Sequence, residues 1–187
     1  MYRASLTNLL LLMVFILLIN VAGVSAQSGP AKQDGQTAAI AESRLIRTRS
    51  FNRSKCDSGL EKEVFGLINN EREKRGFAPL AWSDKAAEVA RLHSENMAEE
   101  NFFSHRGKDG SSVGDRADRL GVEWVSIGEN IVSFWGFEDP ARSAADMWMN
   151  SKEHKENILN EHWQESGIGA IVTFDGTYYL TQVFLLN

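Results

Sequence analysis

The sequence predicts an α+β domain in which helices cover an antiparallel sheet. Two observations carry that prediction. Between Leu60 and Ile158, apolar residues recur at helical spacing in one segment after another. After Gly167 that spacing gives way to two strand-like runs joined by Asp175-Gly176, a tight hairpin signal. Helical stripes followed by a terminal hairpin need a shared core, and a sheet covered by helices supplies one.

The elements read in order. Ser58-Gly59-Leu60-Glu61 has the pattern of a capping box, and Leu60, Val64, Leu67 and Ile68 continue as one helical face that Gly76 ends. A turn at Pro79 leads to a short extended piece with Leu80 and Trp82. Ser83 caps a second helix running to about Glu100, with Ala86, Val89, Ala90, His93 and Met97 on its apolar face. A short third helix fits Val113 to Leu120, closed by Gly121. Asp139-Pro140 is a cap followed by proline at the first helical position, and Ala141, Ala144, Ala145 and Trp148 form the stripe that follows. Ser151 restarts a short helix carrying His154, Asn157 and Ile158. The hairpin strands are Gly167 to Phe174 and Thr177 to Leu186.

The N-terminal part reads differently. Arg3, an apolar run from Leu9 to Val24 broken only by Asn20 and Gly23, and Val24-Ser25-Ala26 make a secretory signal over residues 1–26. At 16 residues the run is shorter than the roughly 20 a spanning helix needs. The expected location is therefore extracellular, with anchoring by residues 9–24 as the alternative. Residues 27–55 show no hydrophobic period and read as a linker. Lys32, Arg44, Arg47, Arg49, Arg53 and Lys55 outnumber Asp34 and Glu42 there, while the whole chain is −5, so the domain from Cys56 to residue 187 is acidic. An acidic domain excludes the phosphate-binding patches that nucleic acid demands. Cys56 is the single cysteine, so no internal disulfide staples the domain, and it is expected to be a monomer held by its core.

Polar residues suited to chemistry fall in three segments: Phe102-Phe103-Ser104-His105, Gly128-Glu129-Asn130, and Trp148 to Leu159 with His154. Two imidazoles and a carboxylate can bind zinc and leave a position for water, and bound water can act as nucleophile near neutral pH. The competing reading is a hydrogen-bonded polar cluster that organises the loops. Gly110-Ser111-Ser112-Val113-Gly114 satisfies the G-x-S-x-G pattern, but the polar turn before it lacks the buried strand a nucleophile elbow needs. His93 lies on an apolar stripe and reads as a core histidine; His162 beside Trp163 reads as surface packing. Phe134, Trp135 and Phe137 either line a groove or pack ordinarily on the sheet, and packing is the expectation.

Together these motifs are similar to the CAP superfamily of cysteine-rich secretory, antigen 5 and pathogenesis-related proteins, in its short bacterial form. The resemblance spans about Leu60 to Leu186. It rests on the order of Leu80-Ala81-Trp82-Ser83, Phe103-Ser104-His105, Gly110-Ser111-Ser112 with Asp115-Arg116, Gly128-Glu129-Asn130-Ile131, Met147-Trp148 with Asn150-Ser151, His154 with Asn157-Ile158-Leu159, and Tyr179-Leu180-Thr181-Gln182-Val183-Phe184. It implies a three-layer α-β-α sandwich with a central cleft. In many members two histidines and two acids meet there and can hold a divalent metal such as zinc or calcium. Carried over, His105 matches the first histidine and Glu129 the acid of Gly-Glu-Asn. Tyr179 stands where other members have a histidine, so His154 would be the second imidazole, and no fourth ligand is evident.

The resemblance implies a cleft built from His105, Glu129, Asn130 and His154. Some relatives bind lipids or sterols and others contact extracellular proteins, so the expected function is a secreted, non-enzymatic binding module. The alternative is a metal-dependent hydrolase using His105, Glu129 and His154; a third reading is a structural cell-surface domain.

Overall fold

The computed structural model describes residues 55–187. The signal, the apolar run and all of the linker except Lys55 lie outside the described residues. Five strands form one sheet: β1 (Lys55–Cys56), β2 (Ala81–Trp82), β3 (Ser126–Phe134), β4 (Glu165–Val172) and β5 (Tyr178–Leu186). The order is β1-β4-β5-β3, with β2 beside β4. Every pairing is antiparallel except β2 with β4, which is parallel. Five helices flank the sheet: α1 (Ser58–Glu73), α2 (Asp84–Glu99), α3 (Val113–Arg119), α4 (Pro140–Asn150) and α5 (Lys152–Ile158).

Strand alternation builds the three layers. Val132 and Phe134 of β3, Ile168 and Ala170 of β4, and Leu180 and Phe184 of β5 share a core with Leu60, Val64 and Ile68 of α1, the Ala141, Ala144, Ala145 and Trp148 stripe of α4, and Ile158 of α5. Val183 and Leu185 point the other way, into a second core with Ala86, Val89 and Ala90 of α2, Ala117 of α3, and Val122. The expected α-β-α sandwich is thus the observed one.

The α2 layer lies unusually close to the sheet. A Cβ placed on Gly167 would stand 2.1 Å from the Ala87 backbone nitrogen, and one on Gly169 would stand 2.2 Å from that of Arg91. Glycines on β4 and alanines on α2 therefore let two backbones meet with no side chain between them.

The Asp139 and Ser83 caps form as expected, their side chains accepting from the Arg142 and Ala86 nitrogens, and Ser112, not singled out from the sequence as a cap, accepts from the Asp115 nitrogen at the start of α3. The first helix differs. Its cap is Asp57, which accepts from the Leu60 nitrogen at 3.0 Å, not Ser58. Glu61 cannot close a capping box, because it is buried and its oxygens accept from Arg91 Nε at 2.8 Å and Nη2 at 2.6 Å and from the Ala170 nitrogen at 3.2 Å. Cys56 is exposed, with Sγ 3.4 Å from Glu61 Oε1; burial pushes its thiol up, and the neighbouring Glu61 carboxylate adds to that.

Two further corrections concern boundaries. Lys55, assigned to the linker, pairs with Val172 in β1. The segment carrying Gly128-Glu129-Asn130, to which the sequence reading assigns no element, is the nine-residue strand β3. One buried cation fixes α5 for the site: Arg72 of α1 donates to the carbonyls of Ala78 at 2.8 Å, Ile158 at 2.5 Å and Asn160 at 3.0 Å.

Candidate functional site

The site is built on β3, an edge strand of the sheet. Neighbouring residues of a strand face opposite ways, and each residue of Gly128-Glu129-Asn130 has a separate task. Gly128 clears space: a Cβ there would meet the Trp163 ring at 2.7 Å, and Trp163 stacks on Phe184 with ring centroids 5.7 Å apart. Glu129 turns toward α3 and the His105 loop. Asn130 turns toward α5, where it donates to the His154 carbonyl at 3.1 Å and accepts from Asn157 Nδ2 at 3.0 Å. Asn157 also donates to the Glu129 carbonyl at 3.3 Å. Asn130 is fully buried, so it braces the site rather than facing a ligand.

Glu129 is the centre of a charged chain. His105 Nδ1 lies 2.8 Å from Oε1, and Arg116 of α3 donates to Oε2 at 2.6 Å. An ionised carboxylate only accepts, so Nδ1 of His105 is the donor in this contact. Side-chain exposure falls along the chain from 56% at His105 to 4% at Glu129 and 1% at Arg116. Arg116 also donates to the carbonyls of Ser111 at 3.0 Å and His105 at 3.3 Å, so it ties the loop down as well as balancing Glu129.

His93 supports the same loop from below. It is fully buried on α2, its Nε2 lies 2.8 Å from the Ser104 carbonyl, and its ring meets Phe102 edge-on with centroids 6.1 Å apart. Burial, foremost, pushes its imidazole below the usual range. This agrees with a core histidine and adds a positioning task. His154 lies on α5; burial, then the nearby His105, holds its imidazole down too. His162 packs edge-on against Trp163 at 5.7 Å.

A cleft of about 500 Å³ crosses the β3 edge between the two helical layers, lined by Phe103, Ser104, His105, Arg106, Ile131, Val132, Ser133, Met147 and His154. It brings the two histidines together from opposite layers. A larger groove, about 730 Å³, runs beside the α4–α5 junction and includes none of the candidate residues. Its size does not outweigh the convergence of titratable groups on the β3 cleft.

The three expected metal ligands do not form one centre. Both Glu129 oxygens are already taken, one by a buried guanidinium whose charge opposes a second cation. Among the described residues, no group of three His, Cys, Asp or Glu side chains is placed to hold a metal ion. The residues present therefore do not fit a three-ligand divalent ion. The serine pattern is also committed elsewhere: Ser112 caps α3 and donates to Asp115 Oδ2 at 2.6 Å.

Sequence reading placed His105, Glu129 and His154 in one region but missed Arg116 as the partner of Glu129. Its signal was present: an arginine behind Gly110-Ser111-Ser112, in a short helix otherwise suited to the surface. The aromatic group at the end of β3 divides. Phe134 is buried and stacks on Tyr178 at 5.4 Å, as packing predicts, whereas Trp135 and Phe137 remain 74% and 50% exposed.

A three-layer sandwich with a two-histidine cleft at an edge strand defines the class, and residues 65–184 match the cysteine-rich secretory protein family, CAP. The chain belongs to that family. It is similar to the membrane protein YlbC of Bacillus subtilis (strain 168), 38% identical over 131 residues that make up 70% of this chain and 36% of that one. It is also similar to YkwD of the same organism, 32% identical over 75% of this chain and 54% of that one. The chain thus spans about half or less of these curated relatives. Among solved structures, an extracellular SCP-domain protein of Bacillus anthracis aligns with TM-score 0.62 and 29% identity over 86% of this chain and 45% of that one. An outer surface protein of Borrelia burgdorferi shares the fold, with TM-score 0.65 and 20% identity over 72% of this chain and 97% of that one. Among the described residues no helix is long and apolar enough to cross a membrane.

Proposed function

We propose that this chain is an extracellular, monomeric binding module whose β3-edge cleft takes an amphipathic, lipid- or sterol-like ligand. The observation that carries this reading is the contrast within the cleft. His105 and His154 give it polar edges, with His105 backed by a buried Glu129 that Arg116 already pairs, while Phe103 stands 54% exposed on a wall shared with Ile131, Val132 and Met147. Apolar walls take the hydrocarbon part, and His105, His154 and Ser133 offer hydrogen bonds to a polar head. The volume falls within the roughly 300–1,000 Å³ usual for small-molecule sites. An extracellular location is supported by the similar protein of Bacillus anthracis, itself extracellular.

The experiment is titration of the protein with a fluorescent sterol and a fluorescent fatty acid, alongside Met147→Glu. Saturable binding, weakened at least about tenfold by a charge in the apolar wall, is expected. Absence of binding, or equal binding by the variant, would overturn the reading in favour of a protein partner or a purely structural role.

A further inference from the structure

The outer edge of β3 carries main-chain groups that the sheet leaves open. Along β5 the hydrogen bonds alternate in direction. The Leu185 carbonyl accepts from the Gln164 nitrogen at 3.0 Å, and the Thr177 carbonyl from the Thr173 nitrogen at 2.9 Å, so odd-numbered residues there face β4. Even-numbered residues of β5 therefore face β3, where the register sets Gln182 opposite Asn130, Leu180 opposite Val132 and Tyr178 opposite Phe134. Glu129, Ile131 and Ser133 alternate with those partners and turn both N–H and C=O away from the sheet. The Glu129 carbonyl shows it directly, since it accepts from Asn157 Nδ2 of α5, outside the sheet, at 3.3 Å.

Beyond Glu129 this edge is open. Among the described residues, no side chain and no further strand bonds to the outward groups of Ile131 or Ser133. Both residues line the β3-edge cleft, whose apolar wall includes Phe103 and Met147. The open stretch is short: α5 occupies the edge at Glu129, and Gly136, with φ +79°, turns the chain just past the end of β3. Main-chain donors and acceptors at a strand edge are matched by those of another peptide, which presents them in the same alternation. A hydrocarbon chain offers none, so an apolar wall beside such an edge selects a molecule that has both parts.

We propose that the cleft takes a short N-acylated peptide, its amides paired with the N–H and C=O groups of Ile131 and Ser133 and its acyl chain laid against Phe103 and Met147. The inference rests on the amphipathic-ligand reading of this cleft and names the chemistry of the polar part. Because α5 closes the edge at Glu129, the site suits a few residues at a peptide's acylated end and not a long strand running past.

The test titrates the full 187-residue chain by calorimetry with N-octanoyl-trialanine amide, octanoic acid and N-acetyl-trialanine amide. The octanoyl peptide should bind at least about tenfold more tightly than either of the others. It should also slow hydrogen exchange at the Ile131 and Ser133 amides. Ser133→Pro removes one outward N–H without breaking the ladder to β5, and should reduce the octanoyl peptide to the affinity of octanoic acid. Ser133→Ala keeps that N–H and should leave the affinity within about twofold of native, with the circular dichroism spectrum retained in both variants. An octanoyl peptide methylated at its alanine nitrogens probes the same bonds on the native protein and should bind no better than octanoic acid. Binding of octanoic acid with no gain from the peptide would overturn this inference and leave the amphipathic-ligand reading standing. Failure of octanoic acid and octanoyl peptide alike would overturn both. Equal binding of the acetyl and octanoyl peptides would also overturn the inference, since the site would then take a peptide without the chain.

Discussion

Replacing Arg116 with methionine probes the site at its most buried member. The variant keeps the apolar volume of the side chain but removes the guanidinium that holds Glu129 Oε2 and the carbonyls of Ser111 and His105. Glu129, at 4% side-chain exposure, is then left with His105 alone. Breaking a buried ion pair from one side costs about 3–5 kcal/mol, because the remaining charge stays desolvated. For a domain of this size that corresponds to a fall in Tm of roughly 10–20 °C. Urea unfolding followed by tryptophan fluorescence gives the free energy by linear extrapolation. Adding Glu129→Gln to Arg116→Met removes the stranded charge, and the double variant should be more stable than Arg116→Met alone by at least about 1 kcal/mol. The reasoning is refuted if Arg116→Met lies within about 1 kcal/mol of the native protein. It is equally refuted if Glu129→Gln lowers stability as much in the variant as in the native chain.

Other perturbations read different layers. Gly169→Ala drives a methyl into the Arg91 backbone and should cost about 3 kcal/mol or more, whereas Gly66→Ala, exposed on α1 with nothing within 4 Å, should gain about 0.5–1 kcal/mol; both are read from urea midpoints. His93 has its imidazole held below the ordinary 6.5 by burial, so the unfolded chain takes a proton there before the folded one does. Its contribution to stability is therefore present above about pH 6.5 and lost as pH falls from there toward the depressed folded value. His93→Gln should flatten the pH dependence of the urea midpoint between about pH 7 and pH 5, and an unchanged slope would contradict the assignment.

Much of the fold was legible because its determinants are local. The Asp139-Pro140 cap, the alanine stripe of α4 and the Asp175-Gly176 hairpin each act within a few residues. The β3 strand was not. Gly128 and Asn130 disfavour strands, and they sit in one because Trp163 fills the space over the glycine and Asn157 satisfies the asparagine. The same distance hid the logic of Glu61, whose partner Arg91 lies 30 residues on, so a half-buried ion pair looked like a local cap. At the candidate site, residue type pointed to His105, Glu129 and His154. Alternation along β3 sets Glu129 and Asn130 toward different layers, and no spacing rule shows that in a segment to which the sequence assigns no element. Arg116 escaped for a related reason: an arginine in a short polar helix looks solvated until the carboxylate it pairs with is known to be buried.

The central claim is that the β3-edge cleft receives an amphipathic ligand against Phe103, Ile131, Val132 and Met147. NMR of the full chain, observing the imidazole signals of His105 and His154 and the methyl of Met147, tests it most directly when a short-chain phospholipid is added below its micelle concentration. The account predicts saturable shifts at all three, while His162, outside the cleft, stays fixed. Shifts confined to Trp135 and Phe137, or none at the three cleft residues, would contradict it.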